Sequence, residues 1–151
     1  MTKEPENENE ALTDETRQAL KNLSKAMLRL HSILLDAAKA EYEAKNGKIS
    51  SINRYFQLVI DDPHFSWLRK FSSLIALIDE AISVRRPAME SEALALFNEA
   101  RVLLDFEDAD ENFNDKFQMA LLINPDAVLN HNDALALTKN KTRKQLPIII
   151  L

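Results

Sequence analysis

Residues 13–47 read TDETRQALKNLSKAMLRLHSILLDAAKAEYEAKNG, and their spacing decides the fold. Leu20, Leu23, Met27, Leu30, Leu34 and Ala37 recur at alternating intervals of three and four, and the register continues through Glu41 and Ala44. Ala19, Ala26, Ile33 and Ala40 widen this seam on one side. Such a stripe is one face of an α-helix turned toward a core. Thr13 is placed to act as N-cap, Asp14 and Glu15 suit the positive end of the helix dipole, and Gly47 closes the segment. At 1.5 Å per residue the helix would be about 50 Å long. A seam of that length predicts a helical bundle.

The flanking segments repeat the pattern. A short helix is predicted after Ser50, with Ile52, Phe56, Val59 and Ile60 as its apolar side. Asp62-Pro63 then combines an N-cap with the residue favoured at the first helical position, so a long helix is predicted from Pro63 to about Val84. Its stripe is Trp67, Leu68, Phe71, Leu74, Ile75, Ile78, Ala81 and Ile82; Arg85 and Arg86 suit its negative end, and Pro87 stops it. Met89, Ala93, Leu96, Phe97, Ala100, Leu103 and Leu104 mark a fourth helix. Phe113, Phe117, Ala120 and Leu121 mark a fifth, capped near Asn112. Asn124-Pro125 starts a sixth, with Val128, Leu129, Leu135 and Ala136 as its apolar residues. The expected architecture is all-α: an antiparallel bundle of five or six helices, the first and third being longest.

Composition agrees. A chain of 151 residues is about one domain long, and hydrophobic residues make up 46% of it. Gly47 is the only glycine, which leaves little for hairpin turns or phosphate-binding loops. There is no cysteine, which excludes disulfides, thiolate nucleophiles and Cys-ligated metals. Residues 1–15 hold one base and six acids, which accounts for the whole net charge of −5. Residues 1–12 are therefore expected to form a disordered acidic leader, 13–138 the bundle, and 139–151 a basic segment with an apolar tail. The opening residues do not follow a secretory pattern, and no apolar run reaches the roughly 20 residues of a membrane span. The expected compartment is the cytoplasm. Nucleic-acid binding, through Lys139–Lys144 with Arg85 and Arg86, is disfavoured by the balanced charge of the rest of the chain.

Patterns that carry chemistry are missing or broken. His31, His64 and His131 could in principle gather around a metal in a bundle core, but no two lie closer than 33 positions. Solvent-facing or core-edge positions explain them as well, and no metal or other cofactor is expected. The acidic run Asp105–Asp115, aligned on Asp108, Asp110 and Asn112 as a calcium loop, puts Phe113 where glycine is needed and Met119 where a bidentate Glu is needed. No nucleophile-elbow, zinc-protease or phosphate-loop pattern occurs. An enzyme is not the expected reading.

Two features suit partners instead. Trp67 and Arg69 combine the chain's only tryptophan with a base, a pairing enriched at interfaces, although Trp67 also falls on its helix's apolar stripe. Ile148, Ile149, Ile150 and Leu151 end the chain, and burying each would contribute about 1.5–3 kcal/mol, so they call for cover within the monomer or on a partner. The expected function is a non-enzymatic helical protein that self-associates, as a homodimer, or binds a protein partner. The alternative is a metal- or small-molecule-binding bundle.

Residues 61–80, DDPHFSWLRKFSSLIALIDE, resemble the central segment of a family of small bacterial all-helical proteins, and 124–131, NPDAVLNH, resemble a second motif near that family's C-terminus. The likeness covers most of residues 20–138. It implies a bacterial helical domain in which the Asp-Pro helix starts and Trp67 recur and His131 is a shared position. The family has no established biochemical function, so the resemblance supplies no catalytic residues.

Overall fold

Thr13 begins the longest element as its spacing predicts. The computed structural model describes residues 10–83 and 88–145, with side chains as far as Lys139. In it α1 runs Asp14–Asn46, 33 residues. The Thr13 hydroxyl accepts from the Thr16 amide at 3.1 Å. Glu90 reinforces this end from across the fold, accepting from the Thr13 amide at 2.8 Å and the Thr16 hydroxyl at 3.0 Å. Gly47 leaves the helix at φ +88°, a conformation that any side chain would strain. Leu20, Leu23, Met27, Leu30 and Leu34 are buried along the seam.

Ahead of α1 the chain is ordered by pairing. Ala11 bridges Met89, the Leu12 amide donates to the Ala88 carbonyl, and Leu12 is buried. Glu10–Leu12, expected in the acidic leader, thus pack on the bundle; residues 1–9 of that leader lie outside the described residues.

Seven helices occupy the described residues, with no strand among them. The extra one comes from a break in the predicted third helix. Asp62 does cap it, accepting from the His64 amide at 2.9 Å. The chain then forms α3 (Pro63–Ser66) and, after Trp67 and Leu68, α4 (Arg69–Ile82). At the joint, the amides of Leu68 and Phe71 bond three residues back, to Phe65 and Leu68. That tightening has a packing reason. Phe65, Leu68, Phe71 and Leu74 are all buried at intervals of three, which a regular α-helix would rotate off one face. α2 (Ile52–Asp61) precedes them and is capped by Ser51, not by Ser50, through the Arg54 amide at 3.1 Å. It buries Leu58 and half-buries Tyr55 and Val59, so the predicted side carrying Ile52, Phe56 and Ile60 faces outward.

Contacts along α1 fix the direction of α3 and α4. Arg17 bonds the Ile82 carbonyl, Ser24 donates to Asp79 at 2.6 Å, His31 meets the Phe71 ring, and Tyr42 meets Phe65. The paired numbers rise on one strand of the contact and fall on the other, so these helices are antiparallel. α5 (Glu90–Leu104), α6 (Glu111–Ile123) and α7 (Pro125–Gln145) complete the bundle. The cap of α6 is Asp110, which accepts from the amides of Asn112 and Phe113; Asn112 is already inside the helix.

The second-longest helix is α7, at 21 residues, and its backbone continues through the expected boundary at 138. Its buried face is Ala127, His131, Ala134 and Thr138, while the predicted Val128, Leu129 and Ala136 are exposed. Small residues on that face let α7 lie close against α1. The predicted ending of the third helix at Val84–Pro87 and the apolar tail Leu146–Leu151 lie outside the described residues.

The face assignment of α7 is checked by urea unfolding. Ala134→Leu should overpack the seam and cost about 1–3 kcal/mol. Leu129→Ala should stay within about 0.5 kcal/mol of the parent. The opposite order would place the buried face on the side read from the larger residues.

Candidate functional site

The histidines are separated by the fold, each held in a different setting. His64 Nε2 donates to the Ala38 carbonyl at 2.8 Å and lies 3.7 Å from Glu41. A carbonyl can only accept, so Nε2 carries the proton. His131, expected at the solvent or core edge, is buried: its Nε2 donates to the Leu104 carbonyl at 2.7 Å, and its ring sits 5.3 Å from both Phe106 and Phe117. His31 is half-buried against Phe71, and burial holds its pKa below the ordinary imidazole value. Among the described residues no group of three metal-ligating side chains converges.

Trp67 stands at the joint of α3 and α4 and is half-buried. Its indole N–H donates to the His64 carbonyl at 3.1 Å, and its ring lies 5.9 Å from Phe113. It forms a wall between two cavities. The smaller, about 390 Å³, is bounded by α1, His64 and the end of α6 at Met119 and Ile123. The larger, about 670 Å³, lies between α4, α5 and the start of α6. Lys116 borders both.

The bases around the larger cavity are anchored in two ways. Lys70 pairs with Asp108 at 3.2 Å. Arg69 and Lys116 instead donate to backbone, Arg69 to the Ile60 carbonyl and Lys116 to the Pro63 carbonyl at 3.2 Å. Arg69 is exposed and Lys70 half-buried. Sequence reasoning missed Lys116 altogether, although it is the only base between Arg101 and Lys139.

One wall of this cavity is the loop from Asp105 to Asp110, the start of the acidic run whose sequence does not fit a calcium loop. Phe106 has φ +61°, the only positive φ among the described non-glycine residues, and its ring packs 5.0 Å from Phe117. For a bulky residue this conformation costs on the order of 1–3 kcal/mol and persists only where surroundings impose it. Asn114, buried beneath the loop, donates to the Asp108 carbonyl at 2.9 Å while its Oδ1 has no partner. Asp108 also accepts from the Asp110 amide at 2.9 Å. The loop is thus pinned from both sides.

Elsewhere the surface bares large apolar side chains. Ile52, Phe56 and Ile60 stand one turn apart along α2, and Met119, Leu122, Ile123 and Leu129 cluster in sequence around the α6–α7 elbow. Phe56 is 56% and Leu122 76% exposed, so neither contributes to the core. The candidate tail residues Ile148, Ile149, Ile150 and Leu151 lie outside the described residues. Among the described residues no helix is long and apolar enough to cross a membrane. Compared with protein-family models, curated proteins and solved structures, the chain matches none.

His31 makes stability depend on pH with a definite sign. Because burial lowers its folded pKa from 6.5, protonation favours the unfolded chain. Its contribution is intact above the unfolded value and declines as pH falls below it, no more steeply than about 1.4 kcal/mol per pH unit. Urea midpoints at about pH 7.5 and 5.5 should therefore differ less in His31→Gln than in the parent. An unchanged difference would assign the dependence to other groups.

Proposed function

We propose that this chain is a non-enzymatic cytoplasmic helical module that pairs with a second copy of itself through the outward apolar faces of α2 and the α6–α7 elbow. The observation behind this reading is the baring of Ile52, Phe56 and Ile60 together with Leu122, Ile123 and Leu129. Single exposed apolar residues are ordinary on a protein surface, whereas grouped ones mark contact sites. Covering them is the available gain: complete burial of one such side chain is worth about 1.5–3 kcal/mol.

The non-enzymatic part rests on the sequence, where the patterns of nucleophiles, metals and phosphate loops do not occur. The cytoplasmic part carries over the expectation from the sequence, in which no apolar run is long enough to span a membrane. The resemblance of residues 61–80 and 124–131 to small bacterial helical proteins is compatible with such a module and adds no activity to it.

Sedimentation velocity across about 1–100 µM tests the pairing, a range that brackets micromolar dissociation constants. The parent should shift toward twice the chain mass, while Phe56→Glu and Leu122→Glu should remain monomeric with unchanged helical circular dichroism. A parent that stays monomeric throughout rejects self-association. Capture of a stoichiometric protein from the native host, lost in Phe56→Glu, would then make the face a site for a different partner.

A further inference from the structure

We propose that the larger cavity is a binding site for a small aromatic anion, a flat ring carrying a carboxylate, sulfonate or phosphate group. The site lies beside Trp67, with Arg69 and Lys116 as the anion's partners. It does not depend on self-association, whose faces are on α2 and the α6–α7 elbow.

The volume, about 670 Å³, falls within the range of small-molecule sites. Its lining mixes apolar side chains with polar and charged ones from every element around it. Leu74, Leu77 and Val102 line the α4–α5 side, while Trp67 and Phe113, with rings tilted by 55°, form an aromatic corner at the other. A flat ring is the shape that such a corner accepts, through offset or edge contacts.

The charge is decided by which side chains are already committed. Of the carboxylates on the lining, Asp108 is engaged by Lys70 and the Asp110 amide, and Asp110 is engaged by two helix amides. Glu99, exposed on the α5 wall, is the one carboxylate of the lining with no partner among the described residues. Arg69 and Lys116, by contrast, form no ion pair among the described residues. Both are held by carbonyls of one short turn, those of Ile60 and Pro63. The carboxylate of Asp62 in that turn is used by the His64 amide.

Two cations are therefore held near the aromatic corner with donors left over. An ammonium has three N–H groups and a guanidinium five, and one of each is spent on a carbonyl. Held this way, the two bases lose less freedom on meeting an anion than free surface bases would. The pinned loop with its strained Phe106 keeps the opposite wall in place.

The test uses 1-naphthoate and its neutral analogue 1-naphthamide as probes, followed by ¹H–¹⁵N NMR of the full chain. Trp67 is the only tryptophan, so its indole N–H, bonded to the His64 carbonyl, is a single reporter on the ring that borders the site. Naphthoate should shift that resonance saturably, with amides of 66–70 and 112–116, at a dissociation constant of about 1 mM or below. Naphthamide should bind roughly tenfold more weakly, and Lys116→Met and Arg69→Met should each remove much of that preference. Lys116 is half-buried and Arg69 exposed, so neither variant disturbs the core. The proposal fails if naphthoate gives no saturable shift at the indole, if naphthamide binds equally well, or if both variants retain the parent's preference.

Discussion

The length of α1 is the constraint on which the other helices depend. Thirty-three residues extend about 50 Å, and no other described helix can cover that seam alone. Its neighbours therefore share it. α4 covers the N-terminal half through Ile82, Asp79 and Phe71, and α3 covers the C-terminal half through His64 and Phe65. Glu90 ties the start of α5 to the start of α1, and Ala11–Met89 closes the same end. The joint at Trp67 and Leu68 is where cover passes from one helix to the next.

Aromatic packing connects this joint to the other half of the fold. Phe71 meets Phe113 at 5.7 Å and Phe117 at 5.1 Å, and Phe117 meets Phe106 and His131. Rings at these separations attract beyond the area they bury, by about 0.5–1.5 kcal/mol a pair. The cluster thus joins α4, α6, the loop before α6 and α7. It also holds Phe106, whose ring packs into the cluster from a strained backbone. His131 is part of the same cluster, with its one N–H bond to Leu104 removing the cost of burying it.

What the sequence made legible is local. The cap at Thr13, the exit at Gly47 and the Asp62-Pro63 and Asn124-Pro125 starts are each settled by one or two residues, and each stands where its pattern indicated. What it concealed depends on tertiary partners. The break at 67–68 follows from burying Phe65, Leu68, Phe71 and Leu74 together, and nothing in the stripe alone distinguishes that from a continuous helix. The faces of α2 and α7 were misread for a related reason. On α7, Leu129 is larger and more apolar than Ala127 or Ala134, yet close approach selects the small residues and leaves the large one outside, while α2 turns Leu58 inward in place of Ile52 and Phe56. In the candidate site, Trp67 and Arg69 stood out by type. Lys116 and Asn114 did not, because their importance lies in Pro63 and Asp108, more than fifty residues away in one case and across a loop in the other.

The same contrast in side-chain size places the cavities. Along α7 the buried positions are Ala127, His131, Ala134 and Thr138, three of them small, and small residues let helix backbones approach closely. Where α4 and α6 meet, the positions are Phe71, Phe113 and Phe117. Rings hold helix axes apart, and the gap stays filled only while rings continue. At Trp67 and Phe113 the cluster ends against the cavity, and beyond it the α4 and α5 walls mix aliphatic side chains such as Leu77 and Val102 with polar ones such as Ser73, Asn98 and Glu99, none of them a ring. The cations Arg69 and Lys116 stand at that opening because a charged head requires water or a partner, and the carbonyls of Ile60 and Pro63 hold them there. The arrangement is therefore a consequence of how the seam of α1 is shared: a joint that is needed to cover a long helix leaves one tryptophan at the edge of the core, facing a space bordered by charges of both signs.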